Sequence, residues 1–174
     1  MNAILTRFSG WRWPLLAILA SLAMLAAAHL FERVLLLAPC PLCLKQREVY
    51  WAIVAMSLTG LALWRWQPTR RFLVALNVLI GLAFLVGALV AFYHTGVEYG
   101  WFAAPAGCEA GASRQAILDG PIHLDEPVSV TSCTQPLWHF LGLSMAAWNA
   151  VVSVGLGALS FLAAGRTASS TLEG

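Results

Sequence analysis

Long runs of apolar residues, broken at a few polar points, set the plan of this chain. One uncharged run extends from about Pro14 to Phe31, and another from about Phe72 to Tyr93. Between them lies a run from about Val49 to Trp64. A fourth and weaker one, from about Leu141 to Ala164, contains Gly155, Gly157 and several serines. Each reaches or approaches the roughly 20 residues that cross a ~30 Å hydrocarbon core, and small residues in the fourth let membrane helices pack closely. The pattern predicts helices at about 14–31, 48–66, 71–93 and 143–164. The predicted fold class is an all-α membrane protein: one domain over 1–174, built as a four-helix transmembrane bundle with two outer loops, about 32–47 and 94–142. A soluble helical protein would need far more polar helix faces.

The breaks between runs are legible. Gln67-Pro68-Thr69 predicts a tight turn, because proline cannot continue a helix. In the long second loop, Ser113 is placed to cap a short helix through Leu118, ended by Gly120-Pro121. A loop of that length is unusual unless it is functional or tied down, and a bridge between Cys108 and Cys133 would tie it down. The small, polar tail from Thr167 to Gly174 is expected to be disordered. Arg7 and Arg12, the first apolar run and Ala26-Ala27-Ala28 also have the look of a signal peptide. That run is long and continues through Leu30 and Phe31, so an uncleaved first helix is the expectation.

Composition narrows the class further. The 174 residues are 60% hydrophobic and 10% charged, with a net charge of +2, against about a quarter charged in soluble domains. No basic patch suits nucleic acid. With four spans, Arg7, Arg12, Arg65, Arg70, Arg71 and Arg166 share one side, mostly short ends and a tight turn. Arg33, Lys45, Arg47 and Arg114 share the other with several acids, including Glu98 and Asp125. The positive-inside rule then predicts cytoplasmic termini, which puts both cysteine-bearing loops outside the cytoplasm, where disulfides persist.

Four cysteines remain to be explained. Cys40-Pro41-Leu42-Cys43 is a C-x-x-C motif, and Cys108 and Cys133 follow far downstream. Pro41 suits the first turn of a helix. A helix starting there puts Cys40 near the N-cap and Cys43 in the first turn, where free N–H groups and the helix dipole favour a thiolate. Lys45 and Arg47 add positive charge. A thiolate is the nucleophile of disulfide exchange, and at a membrane surface its partner is expected to be lipid-soluble. Leu44 excludes a c-type haem motif, which needs His there. A site of four thiolates for zinc stays open as an alternative, as do purely structural disulfides, although a C-x-x-C ring closes too small a loop to stabilise much.

Cys40-Pro41-Leu42-Cys43 followed by Gln46-Arg47 and Tyr50, at the start of a second membrane helix, resembles the DsbB (disulfide bond formation protein B) family. Tyr93-His94 with Glu98 fits that resemblance, and so does Cys133 with Trp138, Phe140-Leu141-Gly142-Leu143, Met145 and Trp148-Asn149. It covers nearly the whole chain.

The resemblance implies a quinone-dependent thiol oxidase of the bacterial inner membrane, with periplasmic cysteine loops. Its partner would be a DsbA-like periplasmic thioredoxin-fold protein, and its electron acceptor a membrane quinone, ubiquinone or menaquinone. By position, Cys108 would form the mixed disulfide with the partner, Cys133 would attack Cys40, and Cys43 would be left as the thiolate facing the quinone. Arg47 matches the family's quinone-site arginine, and His94 a histidine linked to quinone reduction. No metal is implied. Vitamin K epoxide reductase-like proteins share the bundle, motif and quinone, but their loop cysteines precede the C-x-x-C, the reverse of the order here. A non-catalytic membrane protein with stapled loops or a four-cysteine metal site is the alternative class.

Overall fold

The computed structural model describes residues 10–34, 39–106, 108, 132–136 and 138–169. Four long helices dominate: α1 (Arg12–Val34), α2 (Pro41–Trp66), α3 (Arg70–Glu98) and α4 (Met145–Ser169). Three of them, α1, α3 and α4, are long and apolar enough to cross a membrane. Helix α2 carries Lys45, Arg47 and Glu48 near its start and Arg65 near its end, which dilutes its apolar stretch. Leu19, Leu58, Leu82, Leu89, Val154 and Leu162 stand exposed along the helices. In water such apolar exposure would drive association, and in lipid it is the required surface.

Helix α3 packs most extensively on α4, and α2 packs on both α1 and α3. Small residues permit this. A Cβ at Gly81 of α3 would stand 3.0 Å from the Phe161 ring and 3.1 Å from Ser160 Cβ on α4, so the absent side chain admits the neighbouring helix. Ala17, Leu25, Tyr50, Ile53, Leu76, Ile80 and Phe84 form the central cluster. Trp13 donates its indole N–H to Ser160 Oγ at 3.0 Å.

Several boundaries differ from the sequence expectation. Helix α2 begins at Pro41, well before the apolar stretch at 48, because proline at the first position and a Cys40 cap start it early. Helix α3 runs past Tyr93 to Glu98. Gly100, at φ +72°, closes it: its N–H donates to Val97 O at 3.2 Å and that of Trp101 to Gly96 O at 2.7 Å. This is a Schellman motif, which needs a left-handed residue just past the helix. Helix α4 continues to Ser169 and includes Thr167, expected in a disordered tail. Thr167 Oγ1 donates to Ala163 O at 2.7 Å and accepts from Gly10 N at 2.9 Å, so the helix end is tied to the start of the chain. The predicted helix at 113–118 lies outside the described residues.

An antiparallel pairing of β1 (His139–Phe140) with β2 (Leu143–Ser144) precedes α4, where helix was expected from 143. Leu141 and Gly142 both have positive φ, 52° and 79°, the signature of a type I′ hairpin turn. Ser144 Oγ then accepts from Ala147 N at 3.2 Å, capping the helix. Trp148 Nε1 donates to Phe140 O at 2.9 Å. This hairpin sits over one end of the bundle, with Trp138 5.3 Å from Phe31 at the end of α1.

Candidate redox site

Cys40 caps α2, and its sulfur accepts from Cys43 N at 3.2 Å. The two sulfurs lie 2.6 Å apart, unbonded. Cys108 and Cys133 are joined in a disulfide with Cα atoms 5.1 Å apart. All four cysteines pack in one cluster with Leu42, Val97 and Ala104. The path after α3 explains how. Phe102 folds back over Gly96, where any Cβ would collide with its ring at 2.1 Å, and stacks 5.5 Å from Tyr93. Tyr93 then donates to Ala103 O at 3.0 Å, and the chain returns toward Cys40. The sequence placed this bridge in a long loop. Here Cys108 and Cys133 are each 1% exposed, because the returning chain presses the disulfide against α2 and the end of α3.

Charge divides the Cys40–Cys43 pair, which sits ahead of the apolar stretch of α2. Cys43 is pushed below the ordinary thiol range, first by the hydrogen bond from the Cys40 thiol, with the positive charge of Arg47 assisting. Cys40 is pushed far up, first by keeping the shared proton in that bond and then by burial. Of the pair, Cys43 is the sulfur favoured as thiolate and Cys40 the one that keeps the proton.

Cys43 opens onto a cavity of about 360 Å³ lined by all four helices and the hairpin. Its walls are mostly apolar, with Arg47, Glu98, His94, Gln46, Tyr50 and Asn149 among the polar points. Arg47 sits one helical turn beyond Cys43, as its spacing predicts. Its guanidinium is also claimed by α1: Nη1 donates to Glu32 at 2.5 Å and Nη2 to Ala28 O at 3.2 Å. His94 does not end its helix but lies a turn inside it. Its Nε2 stands 3.6 Å from Cys40 Sγ, and its Nδ1 2.8 Å from Gln46 Nε2.

Glu32 had no role in the sequence reading, Gln46, Tyr50 and Asn149 entered it only as points of resemblance, and Glu98 entered as one of these and as a loop acid. A signal was present. Gln46 and Tyr50 are four apart on α2, and Asn149 and Ser153 four apart on α4. Polar pairs at that spacing in apolar helices face the bundle interior.

A four-thiolate metal site is not assembled here, because Cys108 and Cys133 are bonded to each other. Among the described residues, Cys40, Cys43 and His94 bring three ligand-type atoms within 4.8 Å of one another.

The family model for disulfide bond formation protein DsbB matches residues 10–163. The chain belongs to the DsbB family. It is 30% identical over 146 residues to disulfide bond formation protein B 1 of Pseudomonas fluorescens (strain Pf0-1), covering 82% of each chain. It is 31% identical over 163 residues to disulfide bond formation protein B of Methylococcus capsulatus, covering 85% of this chain and 90% of that one. An uncharacterized Rickettsia prowazekii protein, RP370, is 30% identical over 146 residues, or 80% of this chain and 79% of its own. No solved structure matches. As a DsbB-family member the chain is a multi-pass membrane protein-disulfide oxidoreductase.

Proposed function

We infer that this DsbB-family protein reoxidises a DsbA-like periplasmic thioredoxin-fold protein and delivers the electrons to a membrane quinone, ubiquinone or menaquinone. The observation that carries the reading is the meeting of both cysteine pairs in one cluster, with Cys43 opening onto an apolar cavity beside Arg47. A partner thiolate attacks Cys108, breaking the Cys108–Cys133 bond and leaving Cys133 with the electron pair. Cys133 then attacks Cys40 of an oxidised Cys40–Cys43 pair, and Cys43 leaves as thiolate. Since Cys108 is buried, docking of the partner has to uncover it.

The cavity suits a quinone head group. Its volume falls within the usual range for small-ligand sites, and its lining is apolar with few convergent polar groups. A quinone bound there supplies a two-electron, two-proton acceptor. Arg47 holds positive charge near the Cys43 thiolate, and His94 offers an N–H beside Cys40. In this reading α2 is the fourth span, since its stretch from 48 to 66 covers roughly 28 Å at ~1.5 Å per residue. The bundle lies in the bacterial inner membrane with cytoplasmic termini and periplasmic cysteine loops, the arrangement the arginine distribution supports.

The test is turnover. Purified protein mixed with reduced DsbA and a soluble ubiquinone should oxidise DsbA and form quinol in equal amounts. Replacing Cys43 should stop quinol formation, and replacing Cys108 should stop exchange with DsbA. No turnover with all four cysteines intact would defeat the proposal. An unchanged apparent quinone KM in Arg47→Ala would remove that residue from the site.

A further inference from the structure

The polar side chains of the cavity form a hydrogen-bond chain that cysteine exchange alone leaves unexplained. His94 Nδ1 is 2.8 Å from Gln46 Nε2. Gln46 Oε1 accepts from Asn149 Nδ2. Asn149 Oδ1 accepts from the Tyr50 hydroxyl, whose oxygen lies 3.0 Å from Ser153 Oγ. Every member of this chain is buried.

Donor and acceptor inventories give the chain one direction. Tyr50 has a single proton, committed to Asn149, so Ser153 donates to Tyr50. The carbonyl of Gln46 is taken by Asn149, so its amide N–H faces His94 and Nδ1 accepts. A neutral imidazole carries one N–H, which therefore sits on Nε2. That nitrogen lies 3.6 Å from Cys40 Sγ and 3.8 Å from Glu98 Oε1. We propose that Gln46, Asn149, Tyr50 and Ser153 are positioning residues that hold His94 in its Nε2–H tautomer, with that proton turned toward the Cys40 sulfur.

The use of such a donor follows from burial. After Cys133 has bonded to Cys40, the partner's second thiol releases Cys108; Cys108 then attacks Cys133, re-forming the Cys108–Cys133 bond, and Cys40 leaves with the electron pair. Cys40 is 2% exposed, so water cannot solvate that charge. An N–H beside it can. The two sulfurs then have separate supports: His94 for Cys40 and Arg47 for Cys43. The other ionisable groups facing this point are Cys43 itself, Glu98 on α3, Glu32 behind Arg47, and His139, which acts on Glu98. Ser144 donates to Glu98 Oε2, leaving Oε1 as the competitor for the same N–H.

The purpose of the chain rests on the oxidase reading above, but its detection does not. The full-length reduced protein in micelles, labelled with 15N-histidine, reports the His94 tautomer by NMR, with His94→Gln assigning the signal. The native protein should show protonated Nε2 and bare Nδ1. Gln46→Glu keeps the size but presents only an acceptor, so the proton should move to Nδ1. Gln46→Met should lose the preference, and Tyr50→Phe, which keeps the ring packing, should weaken it. In a Cys43→Ser, Cys108→Ser, Cys133→Ser background carrying glutathione on Cys40, release of Cys40 by dithiothreitol should slow several-fold in Gln46→Glu and Gln46→Met. Neither readout needs a quinone or DsbA, so absent turnover with this tautomer pattern intact counts against the oxidase reading alone. A native proton on Nδ1, or one that stays on Nε2 in Gln46→Glu, overturns the chain.

Discussion

Removing the charge of Arg47 should make Cys43 harder to ionise, and removing the charge of Glu32 should do the reverse. The guanidinium lies one helical turn from Cys43, a separation of roughly 6–7 Å by helix geometry. At an effective dielectric of about 20–40, a unit charge at that distance is worth roughly 1–2.5 kcal/mol to a thiolate. Glu32 sits against the same guanidinium at 2.5 Å and cancels about half of it, leaving a net effect on the order of 1 kcal/mol, or about 0.7 pH unit. Cys43 is an acid whose thiolate is favoured here, so losing the cation raises its midpoint. Arg47→Met, which also leaves Glu32 uncompensated, should shift it up by about 1.5 units, and Glu32→Gln should shift it down by about half as much. The double variant, which loses only the net effect of the pair, should lie between Arg47→Met and native, about 0.7 unit above native. The assay is alkylation by iodoacetamide against pH in a Cys108→Ser, Cys133→Ser background, with peptide mapping to separate Cys43 from Cys40. Cys43 should react at lower pH than Cys40 throughout. Single variants that shift the midpoint in the same direction, or a double variant no nearer native than Arg47→Met, would refute the electrostatic account.

Other consequences are testable in the same preparations. Val97 packs on the cysteine cluster, so Val97→Ala should cost about 1–2 kcal/mol and speed reduction of the Cys108–Cys133 bond by a water-soluble phosphine several-fold; an unchanged rate would mean burial does not control access. Tyr50→Phe keeps the edge contact with Phe84, at 6.4 Å between ring centroids, but strands Asn149 and Ser153. At about 0.6–1.7 kcal/mol for each hydrogen bond between membrane helices, the loss should be roughly 1–3 kcal/mol in detergent unfolding. Gly81→Leu should lower the unfolding temperature more than Gly155→Leu, because the first meets Phe161 and Ser160 while nothing lies within 4 Å of a Cβ at the second. Equal losses would show that α3 and α4 do not rely on this close approach.

Much of the architecture is written in local pattern. The apolar runs mark the helices because, in lipid, a continuous apolar segment must satisfy its backbone internally. Pro41 and the cysteines beside it mark the start of α2, since capping and first-turn chemistry depend on adjacent residues. The spacing of Arg47 from Cys43 is likewise a property of one helix. Where α3 ends was readable too, in Gly100, but the apolar run stops earlier at Tyr93 and hid it.

Contacts between distant segments belong to a different order of information. Glu32 and Arg47 are on separate helices, as are His94 and Gln46, and Tyr50 and Asn149. Nothing in the periodicity of one helix names its partner on another, because helix rotation and depth are settled by packing at small residues such as Gly81. The sequence alone determined that two unlike cysteine pairs stand at a membrane helix start and in a long loop. Only the tertiary structure decided that the loop pair is buried against the helix pair, that Arg47 is shared with Glu32, and that His94 reaches Cys40 with its tautomer set from α2 and α4. The reason is that a buried hydrogen bond or ion pair is specified by three-dimensional proximity, which a one-dimensional pattern constrains only within a single helix.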